Sequence, residues 1–268
     1  MVVFKAGNAN QSLHLPRILC LHGGGTNANI FRAQCRVLEL HISITFRLVF
    51  AEAPFLCPPG PGVAPVYDSW APFKTWVVLP NSDHEWQHED AAGAVKNSLR
   101  SAMEDDEQRG ATGEWVGLLG FSQGAKICAS LLLRQQMQQE ALTPTTNWKF
   151  AILLAGSGPL LVLDRNLPAA PAQENQSMAS MTEALDPALR GPLLELPTVH
   201  VHGLQDPGLP EHRKLLSLSC RSTTTKLMEW NGDHRVPIKT PDVLALMNHI
   251  REVACETGVG EDHKHLTC

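Results

Sequence analysis

Residues 116–125 read VGLLGFSQGA. An apolar run ends in a serine with a glycine two residues before it and another two residues after it, and an alanine-rich apolar segment follows at once. This is the pattern of a strand, a turn too sharp for side chains on its flanks, and a helix. Such a turn lifts Ser122 off the strand end and sets its hydroxyl at a helix N-terminus. There the helix dipole and free N–H groups favour developing negative charge. Alone, the pentapeptide also fits an ordinary strand–helix corner, so the chain on either side of it must decide.

A serine hydroxyl is a weak nucleophile and needs a base, and the base needs an orienting acid. On elbows of this kind the acid and then the histidine follow the serine in the chain. Downstream, a strand at 198–201 runs into HGLQDPG and puts Asp206 on the loop at its C-terminal end. The next strand, at 224–229, runs into WNGDHRVP and puts His234 on a corresponding loop. In this arrangement His234 takes the serine proton through one ring nitrogen while Asp206 holds the other and stabilises the imidazolium. Asp233 adjoins His234 but reads as a turn former, and Asp164 lies far beyond the strand it follows. Upstream, a strand at 17–21 stops at HGGGT, whose glycines let backbone approach a substrate and aim N–H groups inward. That is what an oxyanion hole requires. One donor is the Gln123 N–H, and the second comes from Gly24 or Gly25.

The remaining elements alternate in the manner of a parallel α/β sheet. Helices are expected at 27–39, 89–103, 123–138, 211–218 and 241–252, and further strands at 46–50, 115–119 and 150–154. The fold class is α/β: a mostly parallel sheet with helices on both faces and lid-like loops. With 268 residues, 43% of them hydrophobic, no repeat and no second composition regime, one domain over 1–268 is expected, with frayed ends at about 1–12 and 256–268. Two irregular stretches, near 55–88 and 157–195, are too long for bare connections. The first contains Phe55, Tyr67, Trp70, Phe73 and Trp76 in a Pro/Gly-rich context. Phe55, Tyr67, Trp70 and Trp76 are candidate walls of an acyl site, although a staple of that loop onto the core explains them equally well.

A net charge of −5 gives no electrostatic footprint for nucleic acid, and no apolar run approaches the length of a membrane span. The N-terminus lacks a signal-peptide apolar core. Seven scattered cysteines, an odd number, point to reduced thiols and a cytoplasmic protein rather than a disulfide framework. His200 and His202 share a strand face but lack a third ligand at convincing spacing. They read as core histidines, and His263 and His265 beside Cys268 read as polar tail. Neither a metal nor a cofactor is called for.

Taken together, ILCLHGGGTNANIFRAQ, APFLCPPGPGV, LLGFSQGA, VHGLQDPG and WNGDHRVP resemble the fungal serine hydrolase family of α/β-hydrolases, from about Pro16 to His249. The resemblance is closest to its branch of esterases and thioesterases that accompany polyketide synthases, the lovastatin-pathway hydrolase among them. It implies a compact α/β-hydrolase without the first antiparallel strands and a triad of Ser122, Asp206 and His234. The implied substrate is a small-molecule acyl ester or thioester, the latter on an acyl carrier domain of a polyketide synthase. A general carboxylesterase is the alternative enzyme, and a non-catalytic binding protein of the same fold the alternative from another class. FAEAPF departs from relatives with a glycine directly before the proline, which bears on the pocket and not on the triad.

Overall fold

The computed structural model describes residues 12–77, 88–137, 146–160 and 192–259. Asp164, His263, His265 and Cys268, and most of the stretch 157–195, lie outside them. A six-stranded sheet organises the described chain: β1 (Arg17–Leu21), β2 (Arg47–Ala51), β5 (Trp115–Phe121), β6 (Phe150–Leu154), β7 (Thr198–Gly203) and β8 (Thr225–Trp230). Their order is β2-β1-β5-β6-β7-β8, and every neighbouring pair is parallel. No antiparallel strand joins this sheet among the described residues.

β1, β5, β6 and β7 are buried along their whole length, as strands covered on both faces must be. Alternate residues divide between two cores. Ile18 and Cys20 pack with α1 (Ala28–Gln34), α2 (Arg36–Ile42) and α7 (Thr240–Glu256), whereas Leu19 and Leu21 pack with α4 (His88–Gln108) and α5 (Gln123–Met137). The single helix expected at 27–39 is two, broken at Cys35. The break lets Ile30 and Phe31 in one piece, and Leu38 and Ile42 in the next, all reach the core. The Asn27 side chain caps α1 by accepting the Ile30 N–H, and its amide donates to the carbonyls of Trp70 and Pro72.

α4 runs five residues beyond its expected end, into the acidic segment, because that end has cationic partners. Asp106 is buried and accepts a forked bond from Arg47, while Arg17 lies 3.7 Å away and stacks over Trp115. The Pro/Gly-rich stretch after residue 55 also holds more order than expected. β3 (Phe55–Leu56) pairs antiparallel with β4 (Lys74–Thr75), and a short α3 (Ala64–Tyr67) lies between them.

The last helix, α7, persists to Glu256, and Val259 beyond it is buried, so fraying does not begin at 256. Cys20, Cys35, Cys128 and Cys220 are free and buried, with thiols pushed up by burial, Cys220 to about 12. Cys255, partly exposed in the last turn of α7, departs from the reduced state expected of it: it is disulfide-bonded. No described helix is long and apolar enough to cross a membrane.

Between β1 and β5 the chain's winding reverses, since β2 lies on one side of β1 and all later strands of this sheet on the other. In open parallel sheets the crevice at the carboxyl ends of such a strand pair is where ligands bind. The segment 22–26 leaves β1 there, and Ser122 leaves β5.

Candidate active site

Ser122 has φ 52°, a left-handed backbone that a non-glycine residue adopts only under constraint. The constraint is local packing. Its N–H donates to the Leu154 carbonyl at 2.8 Å, and its carbonyl starts α5 by accepting the Ala125 N–H. The flanking glycines are obligatory. A Cβ at 120 would lie 2.4 Å from the Gly124 carbonyl oxygen, and one at 124 would lie 2.1 Å from that of Leu21.

The structure brings Ser122, His234 and Asp206 together. Ser122 Oγ is 2.9 Å from His234 Nε2, and His234 Nδ1 is 2.7 Å from Asp206 Oδ2. His234 packs on Phe121, with ring centroids 5.0 Å apart. Asp206 is buried, which alone would raise its carboxyl. The Gly208 N–H at 2.8 Å and the two histidines that reach it hold it below the ordinary aspartate value instead. Asp233 is not part of this set; it pairs with Arg235 at 2.6 Å.

The HGGGT loop after β1 is fixed from beneath. His22 is buried, donates through Nδ1 to the Gly23 carbonyl at 2.8 Å, and accepts the Ala53 N–H at Nε2. Thr26 Oγ1 donates to the same Gly23 carbonyl, and the Trp76 indole N–H donates to the His22 carbonyl at 2.8 Å. Gly25, at φ 72°, spends its N–H on the Lys74 carbonyl, so it has none to offer a substrate. Gly24 lies against the Gln123 side chain, which is itself clamped by the Trp76 N–H at 2.7 Å and the Thr75 hydroxyl at 3.0 Å. Among the described residues neither the Gly24 nor the Gln123 N–H donates to a protein acceptor.

The aromatic residues divide. Trp76 is 2% exposed, lies against His22 with ring centroids 5.2 Å apart and planes tilted by 42°, and belongs to the core with Phe55. Both side chains are buried in that core, Phe55 at 7% exposure. Phe73 is likewise buried. Tyr67 and Trp70 form an edge-to-face pair, and Trp70 is 43% exposed. Trp70 opens onto a surface cleft of about 660 Å³ with Arg32 and Arg36.

Sequence reasoning missed His212 on α6 (Leu209–Ser219), whose Nε2 lies 3.0 Å from Asp206 Oδ2. A lone histidine in a helix gives no sequence signal. Donor atoms of Asp206, His212 and His234 lie within 4.8 Å of one another, as a metal site's would, but their bonds to one another and to Ser122 account for the grouping. His200 and His202 are buried, as expected, but not satisfied. Among the described residues both nitrogens of His202 and Nδ1 of His200 lack a partner, and burial pushes the rings down to about 3 (His200) and about 4 (His202), so both are neutral.

Residues 12–246 match the family described as serine hydrolase (FSH1). The chain is 56% identical over 260 residues to esterase pigG of Monascus ruber, a match spanning 93% of this chain and 95% of that protein. It is 46% identical over 266 residues to esterase dbaE of Emericella nidulans, spanning 94% and 95% respectively. Esterase citA of Monascus ruber is 47% identical over 255 residues, spanning 93% of this chain and 96% of its own. The chain belongs to the serine hydrolase (FSH1) family.

Proposed function

We propose that this protein is an esterase that uses Ser122, His234 and Asp206 to cleave an acyl ester or thioester through an acyl-enzyme. The observation that carries the reading is Ser122 itself: a left-handed, glycine-flanked serine with Oγ 2.9 Å from a histidine nitrogen. Ser122 Oγ attacks the acyl carbon as its proton passes to His234 Nε2. The Gly24 and Gln123 N–H groups receive the oxyanion. The intermediate collapses, the bond to the leaving oxygen or sulfur breaks, and His234 Nε2 returns the proton to that atom. Water then attacks the acyl-enzyme with His234 as base, and Ser122 is regenerated. The esterase names of pigG, dbaE and citA support the ester reading.

The finer reading is that the acyl group arrives as a thioester on a carrier domain of a polyketide synthase. The resemblance to the thioesterase branch supports it, and so does a His234 side chain left 42% exposed, open to a substrate on a long arm. Matched octanoyl esters and N-acetylcysteamine thioesters test both levels. A carrier-fed enzyme favours the thioester in kcat/KM. Preference for the oxoester removes the carrier but keeps the esterase, and turnover of either by Ser122→Ala removes the mechanism.

A further inference from the structure

We propose that His212 is a positioning residue held as an imidazolium, which shares the Asp206 carboxylate with His234 and sets the acid limit of catalysis. The proposal rests on the triad reading above, and its basis is a count of donors. His212 Nδ1 lies 3.0 Å from the Gly156 carbonyl oxygen, and its Nε2 lies 3.0 Å from Asp206 Oδ2. Both facing atoms are acceptors. A neutral ring has one N–H, so either tautomer would set a lone pair against an acceptor at hydrogen-bond distance. The ring is 3% exposed, so water cannot relieve that conflict. Only the doubly protonated ring satisfies both contacts. His234 differs: Nδ1 faces the carboxylate, but Nε2 faces a hydroxyl that donates, so a neutral ring fits.

Asp206 Oδ2 therefore accepts from two histidines while Oδ1 accepts the Gly208 N–H. Asp206 and His212 form a buried pair with no net charge, and the His212 ring is stacked 5.9 Å from that of His234. A proton arriving on His234 places a second cation beside the first, around one anion. That opposes protonation of His234 in the resting enzyme and keeps it available as a base at lower pH. The same two-sided grip fixes the carboxylate against which His234 is aligned.

The other groups near His212 do not replace this balance. His202, from β7, is 5.8 Å away and neutral, and on α6 itself Arg213 is paired with Glu229 at 2.7 Å. Asp206 and His234 face it from their loops.

The test is the pH dependence of kcat/KM for p-nitrophenyl butyrate in wild type, His212→Gln and Gly208→Ala. The glutamine keeps one donor and removes the charge. The alanine alters no titratable group, but its Cβ would lie 3.0 Å from His212 Cε1, 3.1 Å from its Nε2 and 3.2 Å from Asp206 Oδ1, and so crowds both members of the pair. The acid limb is expected to move up by about one pH unit in His212→Gln, the scale for like charges some 6 Å apart at a part-exposed site. Gly208→Ala, which crowds the same pair, should move it as well. A limb that stays in place while only the plateau falls reduces His212 to a structural residue and overturns the proposal.

The charge is read independently from ring ¹⁵N resonances of histidine-labelled Ser122→Ala protein, with the His212 signals identified as those absent when His212→Gln is added. A doubly protonated ring between about pH 6 and 8 is the expected result, and a neutral one overturns the proposal. Because that spectrum needs no turnover, it decides the state of His212 even if Ser122→Ala remains active and the triad reading itself fails.

Discussion

Replacing Trp76 with phenylalanine separates two roles for this residue, a support for the oxyanion loop and a wall for the acyl chain. The indole N–H donates to the His22 carbonyl at 2.8 Å, and both residues are buried, Trp76 at 2% and His22 at 0% exposure. Phenylalanine leaves that carbonyl without its donor in a place water does not reach, at about 1–3 kcal/mol. Lost ring volume adds up to about 1 kcal/mol. The sum of about 1–4 kcal/mol lowers Tm by roughly 2–16 °C in a protein of this size. Gly24 lies two residues from the loosened carbonyl, so kcat should fall about tenfold, and equally for acetyl and octanoyl esters. The assay is thermal unfolding beside p-nitrophenyl ester kinetics at both chain lengths. An unchanged Tm with a loss confined to the octanoyl ester would refute the support role and restore Trp76 as a wall.

Other consequences are open to measurement. Asp206→Asn should lower kcat about 10⁴-fold, because the amide favours the wrong tautomer of His234, whereas Asp233→Asn, at a residue that pairs with Arg235, should change it less than threefold. Ser122 sits at φ 52°, so Ser122→Gly should unfold at a higher temperature than Ser122→Ala by the equivalent of about 1 kcal/mol, both being inactive. His202 is held at about 4, below its unfolded value. Its contribution to stability is therefore whole above about pH 6.5 and is lost as pH falls towards 4. His202→Phe should lessen the fall in unfolding free energy across that window, to which His200, held at about 3, also contributes, and an unchanged slope would show that the His202 ring is not neutral in the folded state.

What the sequence revealed and what it hid follow from the range of the interactions. Gly120, Gly124 and the strand ends before His22, Asp206 and His234 are dictated by neighbours in the chain, so their pattern was legible. The six strands were legible too, since each apolar run is short and bounded. The break at Cys35 was not, because helical periodicity continues through it and only the shape of the core requires it. Trp76 and Trp70 have the same residue type in the same loop, and nothing local separates the one beneath His22 from the one on the surface. That choice is made by Gly25 bonding to Lys74, a contact between distant segments. His212 was hidden for the same reason: its partners, Gly156 and Asp206, come from two other loops. The extra helical turns ending α4 depended on Arg17 and Arg47, remote in sequence from Asp106.

The central claim, that Ser122 is the nucleophile, is tested most directly by reacting the protein with a fluorophosphonate and locating the adduct by peptide mass mapping. A serine with its Oγ 2.9 Å from His234 Nε2 should be phosphonylated on Ser122 alone. Labelling should be lost in Ser122→Ala and strongly slowed in His234→Gln. An active preparation that takes up no label, or carries it on a residue other than Ser122, would contradict the account.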